Sequence, residues 1–336
     1  MKFSPRERSS LLSILARFPR QRMAALGDLV ADEFVYGEIA RVSREAPVLI
    51  LRERERQIVP GGGANAVNNL CDLGAQVIPV GVAGEDDAGD ALVGYFEQKG
   101  VPTHSILRLP GYQTPTKSRI LGGLMHWQRQ QIVRVDREPR SRPSGEVKRR
   151  LIEFASAEIA RSSAFLISDY GYGAVSARTA RLLRTRSRRN VPFIVDSRYA
   201  LASYRGMTAA TPNEPELEAL FGAQIGNRLE LLHELGAKLM RRLAMRALLV
   251  TRGRDGMVLF EARKKPQIIP IFGSDQAVDV TGAGDTVIAA FTLALASGAS
   301  FLEAAQIANC AAGLVVMKRG TATATARELE EAIRNA

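Results

Sequence analysis

The 336-residue chain has only 2 cysteines, 3 histidines and 1 tryptophan. Cys71 and Cys310 lie far apart in helix-like apolar segments, so they read as small buried thiols in a reducing compartment. His104, His126 and His233 are scattered, without the spacing of a metal site. Asp, Arg or Gly interrupts every apolar stretch well short of a membrane span. Residues 11–15 are too short, and too soon followed by Arg17 and Arg20, to make a signal peptide. These absences point to a cytoplasmic protein with no membrane partner. No Pro/Ser/Gly-rich linker divides the chain, which predicts a single domain over residues 1–336. No Gly-Lys-Ser/Thr triplet occurs, and no Gly-x-Gly-x-x-Gly follows the first predicted strand, so neither a P-loop nor a dinucleotide fold is supported.

Charge is not scarce. Lys and Arg total 46 against 35 Asp and Glu, a formal net charge of +11. The arginines are spread through helix-like stretches such as residues 178–189 and 241–246, with no aromatic-interleaved basic patch. A solvated basic surface accounts for them, and no specific nucleic-acid partner is implied.

The most informative stretch is Asp279-Val280-Thr281-Gly282-Ala283-Gly284-Asp285, leading into an apolar helical run. The first N–H groups of a helix lack internal partners and sit at the positive end of its dipole, so they suit an anion. Gly282, Ala283 and Gly284 let a phosphate approach the main chain closely. Asp285 beside such a cradle could simply favour the dipole. It could also act as a general base, taking a proton from a hydroxyl that attacks a phosphoryl group.

Apolar runs at residues 23–26, 77–82, 165–167, 193–195 and 248–250 predict buried parallel strands with helices between them. They run into Asp28, Asp169, Asp196 and Thr251, and a further segment at 207–211 leads into Asn213. Each polar residue could cap a helix. In an open α/β sheet they would also line one edge, where ligands bind. Residues 34–60 and 103–136 instead suit short antiparallel strands that form a lid over that edge. Gly61-Gly62-Gly63-Ala64-Asn65 precedes a predicted helix at 66–73, where Asn65 could cap the helix or meet sugar hydroxyls.

In this order and spacing the motifs resemble those of the ribokinase (PfkB) family of sugar kinases over residues 23–333. The quoted matches are Gly61 to Gly74 with Val80-Gly81-Val82-Ala83-Gly84-Glu85-Asp86, Asn213-Glu214-Pro215-Glu216, Thr251-Arg252-Gly253 with Gly256, and Asp279 to Asp285. The resemblance implies an α/β, ribokinase-like fold: a central, mostly parallel sheet with helices on both faces and a small β-sheet lid. It implies ATP and Mg²⁺, with K⁺ in some members. Asp285 would be the base, with Gly282, Ala283 and Gly284 as the anion hole. Asp28, Gly62, Gly63 and Asn65 would hold sugar hydroxyls, and Asp169 would face the substrate. Asn213 and Glu216 would organise Mg²⁺ and phosphates through water. Thr251, Arg252, Gly253, Gly256 and Asn309 would meet the nucleotide, and Asp279 would order the loop near a monovalent cation.

Within the family, Gly27-Asp28-Leu29-Val30-Ala31-Asp32, Thr116-Lys117-Ser118-Arg119 and Ser168-Asp169-Tyr170 are similar to the kinases of D-glycero-β-D-manno-heptose 7-phosphate. Lys117, Arg119 and Arg134 are then candidates to grip the acceptor's phosphate. Tyr172 and Arg198 stand where that subgroup commonly has lysine, and residues 122–127 differ from its lid. Another acceptor, such as fructose, fructose 6-phosphate or ribose, stays open, as does a noncatalytic nucleotide- or nucleic-acid-binding protein on the same fold. The resemblance further implies a homodimer paired through the lid. It also implies a separate nucleotidyltransferase, since the kinase pattern ends close to Ala336.

Overall fold

The computed structural model describes residues 2–123, 130–187 and 190–336. Residues 124–127, part of the departure from the subgroup's lid, and residues 188–189 of the basic stretch lie outside the described residues.

The chain opens with α1 (Pro5–Leu15), whose Ser4 and Glu7 form a capping box. Then come β1 (Arg22–Gly27), β2 (Leu29–Val42), β3 (Leu49–Gly61), α2 (Gly62–Asp72), β4 (Gln76–Gly84) and α3 (Asp87–Gln98). β5 (Ile106–Leu109), β6 (Thr116–Gly123), β7 (Gln130–Arg137), α4 (Gly145–Ile159), β8 (Ala164–Asp169), α5 (Ala177–Arg186) and β9 (Phe193–Ser197) follow. The last part holds β10 (Ala209–Ala210), α6 (Glu214–Phe221), α7 (Leu229–Leu243), β11 (Ala247–Thr251), β12 (Met257–Glu261) and β13 (Gln267–Ile269). It closes with α8 (Ala283–Ala296), α9 (Phe301–Val315) and α10 (Ala326–Arg334).

Nine strands form the main sheet, in the order β13-β12-β11-β10-β9-β8-β1-β4-β5. Its pairings are parallel except at one edge, where β12 and β13 run antiparallel. Successive side chains of a strand point to opposite faces, and the two cores divide accordingly. Met23, Ala25, Ala164, Leu166, Ala247 and Leu249 pack with α1, α2, α3, α8, α9 and α10. Ala24, Leu26, Phe165, Ile167, Leu248 and Val250 pack with α4, α5, α6 and α7. Covered on both faces, the central strands read as the uninterrupted apolar runs seen in the sequence.

The second sheet has four strands, β3-β2-β6-β7. It differs from the expected lid in three ways. β2 pairs with β6 in parallel, its two longest strands have 14 and 13 residues, and β5 lies outside it. Although β5 falls within 103–136, Ile106 and Leu107 are buried and it pairs with β4 at the edge of the main sheet. Burial, not alternation, decides where β5 goes. β2 begins two residues after β1 ends, and β3 runs directly into α2, so the lid is rooted in the central sheet.

Candidate active site

The site lies past the carboxyl ends of β1, β8, β9 and β11, where α8 begins. Gly282 caps α8 with φ of 78°, and a Cβ there would come 2.6 Å from Asn65 Nδ2. Both facts demand glycine. Gly284 is different, because a Cβ there would meet nothing within 4 Å. Protein packing does not require glycine at 284; its bareness leaves the helix tip open. Asp279 accepts from the N–H groups of Thr281 and Gly320, both at 2.9 Å, so its carboxylate fastens the loop before α8.

Asp285 is 4% exposed in the first turn of α8. Asn65 Nδ2 donates to its Oδ2 at 3.0 Å and the Tyr170 hydroxyl donates to its Oδ1 at 2.8 Å. Asn69 Nδ2 donates to Asn65 Oδ1 at 3.1 Å, and Thr286 Oγ1 donates to Asn69 Oδ1 at 2.8 Å. That relay turns the nitrogen of Asn65 toward the carboxylate. Burial lifts the Asp285 carboxyl to about 7 and Asp32 repels its charge, while the bonds from Asn65 and Tyr170 and the charge of Lys117 oppose the rise. A carboxylate near neutrality is suited to take up a proton.

The lid contributes three charges. Asp32 on β2 accepts from Arg119 Nη1 at 2.8 Å and from Thr321 Oγ1 at 2.6 Å. Arg119 is thereby buried against Asp32. Lys117 Nζ lies 4.9 Å from the centroid of the Tyr170 ring. Burial and Arg198 lower the Lys117 pKa, while Asp32 and Asp285 support its charge. Arg134 is elsewhere, on the exposed strand β7, paired with Asp136 at 2.8 Å.

Two predicted carboxylates are turned inward. Asp28 accepts from the N–H groups of Tyr170, Tyr172 and Ala174 at 2.9, 3.0 and 2.9 Å, which pins the loop after β8. Burial nonetheless raises its carboxyl to about 6. Asp169 accepts from Ser197 Oγ, Tyr204 OH and Gly171 N at 2.9, 2.7 and 3.0 Å. The glycines before Asn65 also serve packing. Gly62 has φ of 51°, and a Cβ on Gly63 would lie 2.7 Å from the Asp28 carbonyl oxygen. Both belong to α2, so Asn65 is inside that helix and does not cap it.

Asn213 and Glu216 form the capping box of α6: Asn213 Oδ1 accepts from Glu216 N at 2.8 Å, and Glu216 Oε2 accepts from Asn213 N at 3.0 Å. Asp196, at the end of β9, stands beside them, and its carboxylate accepts no hydrogen bond among the described residues. Burial raises its pKa well above the usual range, with repulsion from Glu216, Asp285 and Asp169 adding to the rise. Burial also raises Glu216. The charge of Arg198 opposes both rises, and carboxylates crowded this way leave room for a further cation.

On the other side of the α8 tip lies a cavity of about 370 Å³, lined by Thr251, Gly253, Gly256, Val280, Ala283, Gly284, Asn309 and Ala312 among others. Asn309 Nδ2 donates to the Pro270 carbonyl at 2.8 Å. Arg252 does not line this cavity. Its side chain is 7% exposed and reaches Glu214 at 2.6 Å. Asp285 and the tip of α8 thus lie between an apolar cavity and a charged cleft.

Sequence reading quoted Asp32 and Tyr170 within motifs but assigned no role to either, nor to Asn69. Asp32 and Glu33 are both buried in the first half of β2, between Leu29-Val30-Ala31 and Phe34, and carboxylates inside that apolar run were the available signal. Nothing local marks Tyr170 or Asn69, because their partners are 115 and 217 residues away.

This arrangement is that of a kinase acting on a sugar. The pattern of the pfkB family carbohydrate kinases matches residues 29–328, and the chain belongs to that family. It is 37% identical over 329 residues to the bifunctional protein HldE of Trichlorobacter lovleyi, covering 97% of this chain and 66% of that protein. Against bifunctional protein HldE of Geobacter sulfurreducens the identity is 36%, over 96% and 65%. The chain therefore spans about two thirds of the length of the curated relatives it matches. The structure of Arabidopsis thaliana ribokinase complexed with ribose and ATP matches with a TM-score of 0.73 and 21% identity, over 94% of this chain and 99% of that one. Escherichia coli phosphofructokinase-2 in complex with substrates and products gives 0.74 and 18%, over 94% and 98%. These two share the fold.

The family bears out the kinase expectation and leaves the noncatalytic alternative unsupported. Among the described residues no helix is long and apolar enough to cross a membrane.

Proposed function

We propose that the chain transfers the γ-phosphoryl group of ATP to the anomeric hydroxyl of D-glycero-β-D-manno-heptose 7-phosphate. The observation that carries the transfer is Asp285: a buried carboxyl near neutrality, at the helix tip that joins the apolar cavity to the charged cleft. The heptose acceptor is supported by the motif resemblance and by identity to the two HldE proteins. In this reading the adenine and ribose occupy the cavity past Gly253, Gly256 and Asn309. Asp285 takes the proton of the attacking hydroxyl, while the N–H groups at Ala283 and Gly284 stabilise the transferring phosphoryl charge without reorganising. Asp32 and Asn65 orient sugar hydroxyls. Lys117 supplies a positive charge beside the base.

Among the described residues no cluster of three metal-ligating side chains occurs. The donor set still fits Mg²⁺, which keeps several waters and takes one or two carboxylates together with substrate phosphates. Asp196 and Glu216 would hold it, with Asn213 fixing Glu216. Bound there, Mg²⁺ would neutralise the triphosphate. A K⁺ ion near Asp279 belongs to the same reading. So does a homodimer through the lid, which the exposed apolar residues Ile132, Val133 and Val135 on the edge strand β7 favour. The nucleotidyl step that the relatives' second activity suggests would fall to another domain or protein, in the cytoplasm.

The test is ADP release with Mg-ATP against heptose 7-phosphate, fructose 6-phosphate, fructose and ribose, with the product located by ³¹P NMR. A new phosphate at C1 of the heptose is expected. Faster turnover of ribose or fructose than of heptose 7-phosphate would sink the acceptor assignment.

A further inference from the structure

We propose that a second cavity, between the loop joining β8 to α5 and residues 138–142, receives the phosphate of the sugar acceptor through Arg142 and Arg178. This deepens the reading of the acceptor as a sugar phosphate and rests on it. The cavity measures about 720 Å³, and Tyr170, Tyr172 and Tyr199 line it with the two arginines. Tyr170 is a wall shared with the reacting centre, since its hydroxyl is 2.8 Å from Asp285. The transferred group enters at one end of the sugar and the existing phosphate sits at the other. An acceptor lying along Tyr170 reaches both places.

Two of the cations there are uncommitted: among the described residues, Arg142 and Arg178 make no ion pair with a carboxylate, whereas Arg198 lies over the Tyr199 ring and its charge favours the ionised forms of Asp196 and Glu216. The three lid candidates are otherwise engaged: Arg119 with Asp32, Arg134 with Asp136, and Lys117 over the Tyr170 ring beside the base. The cavity floor is also built. A Cβ on Gly173 would be 3.2 Å from Arg142 Cγ, so the arginine stem lies along bare backbone. Asp28 fixes that backbone through three N–H groups. The N-terminus of α5, capped by Ser176, adds its positive dipole end. Two acids also line the cavity. Asp169 is spent on Ser197, Tyr204 and Gly171, and Glu138 remains to accept from a sugar hydroxyl.

The experiment compares the parent with Arg142→Gln, Arg178→Gln and the double variant. The probes are D-glycero-β-D-manno-heptose 7-phosphate and the same heptose without phosphate. Both arginines are exposed, so the variants should fold, which circular dichroism and the melting temperature check. Each loss should raise KM for the sugar phosphate about 10-fold, and both about 100-fold, as expected for charge-assisted hydrogen bonds. kcat and KM for ATP should stay within about 2-fold, and the preference for the phosphorylated sugar should vanish in the double variant. An unchanged KM in a folded double variant, with the parent still preferring the phosphorylated sugar, overturns the subsite and leaves the acceptor reading intact. A parent indifferent to the phosphate overturns both. A fall in kcat together with weaker ATP binding and a lowered melting temperature means a structural role, and that also overturns the subsite.

Discussion

The two sides of the α8 tip are built from different materials. In the proposed reading the nucleotide side is largely backbone and apolar residues, among them Gly253, Gly256, Ala283, Gly284 and Ala312, with Arg254 and Asp275 at the same cavity. In the proposed reading the acceptor side is side chains with charge, Asp32, Lys117 and Arg198, with Asp196 and Glu216 beside them for the metal. Backbone presents the same N–H groups whatever the residue, which suits a donor common to many kinases. Side chains distinguish one acceptor from another, and Asp32, Lys117 and Arg198 sit on the lid and a loop, where sequence can vary without disturbing the main sheet.

The largest effect should come from the residue between the two sides. Asp285→Asn should lower kcat by roughly 10²–10⁴-fold, the usual contribution of a general base, with ATP affinity little changed. The same variant should be at least as stable as the parent at pH 8. Asp285's folded pKa of about 7 lies above the usual carboxylate value of 3.8. Its ionised form therefore costs folding free energy above pH 7, and below about pH 4 it costs nothing. A near-active Asp285→Asn would remove the distinction between the sides, because the anion hole alone would then suffice.

Next is Gly284→Val, which puts a branched side chain where glycine leaves open space. It should weaken ATP binding at least about 10-fold without a large loss of melting temperature, measured by calorimetry and thermal unfolding. A large fall in stability would mean that Gly284 is needed for folding and not for the donor. Tyr170→Phe is smaller. It removes a hydrogen bond that favours the charged form of Asp285, so the acid limb of kcat/KM against pH should move upward from about 7. An unmoved limb would separate Tyr170 from the base.

The smallest effect on turnover is expected at Arg252. Arg252→Ala should leave KM for ATP within about 2-fold and cost about 1–3 kcal/mol of stability through the buried pair with Glu214. A large rise in KM for ATP would return Arg252 to the nucleotide side, where the motif had placed it.

The contrast also governs what could be read from the sequence. Strands buried on both faces announce themselves as apolar runs, and the Gly-Ala-Gly-Asp tip announces itself by composition. β12 and β13 went unnoticed because a short antiparallel return at an edge has no distinctive period. β5 was misplaced because four residues cannot show whether one face or two is covered. Asn213 and Glu216 were recognised as a motif, yet their spacing is also that of a capping box. The structure shows the cap, and one spacing can satisfy both uses. The acceptor side was the least legible, since Asp32, Tyr170 and Asn69 acquire partners only when distant segments meet.

The amide of Asn65 is held in one orientation by Asn69 and Thr286, so it can only give hydrogen to the carboxylate beside it and never receive any. Of Asp285's two neighbours, only the phenol of Tyr170 can reverse its direction. If Asp285 captures the acceptor's hydrogen as proposed, the neighbour able to take it onward is that phenol, whose ring also lines the second cavity.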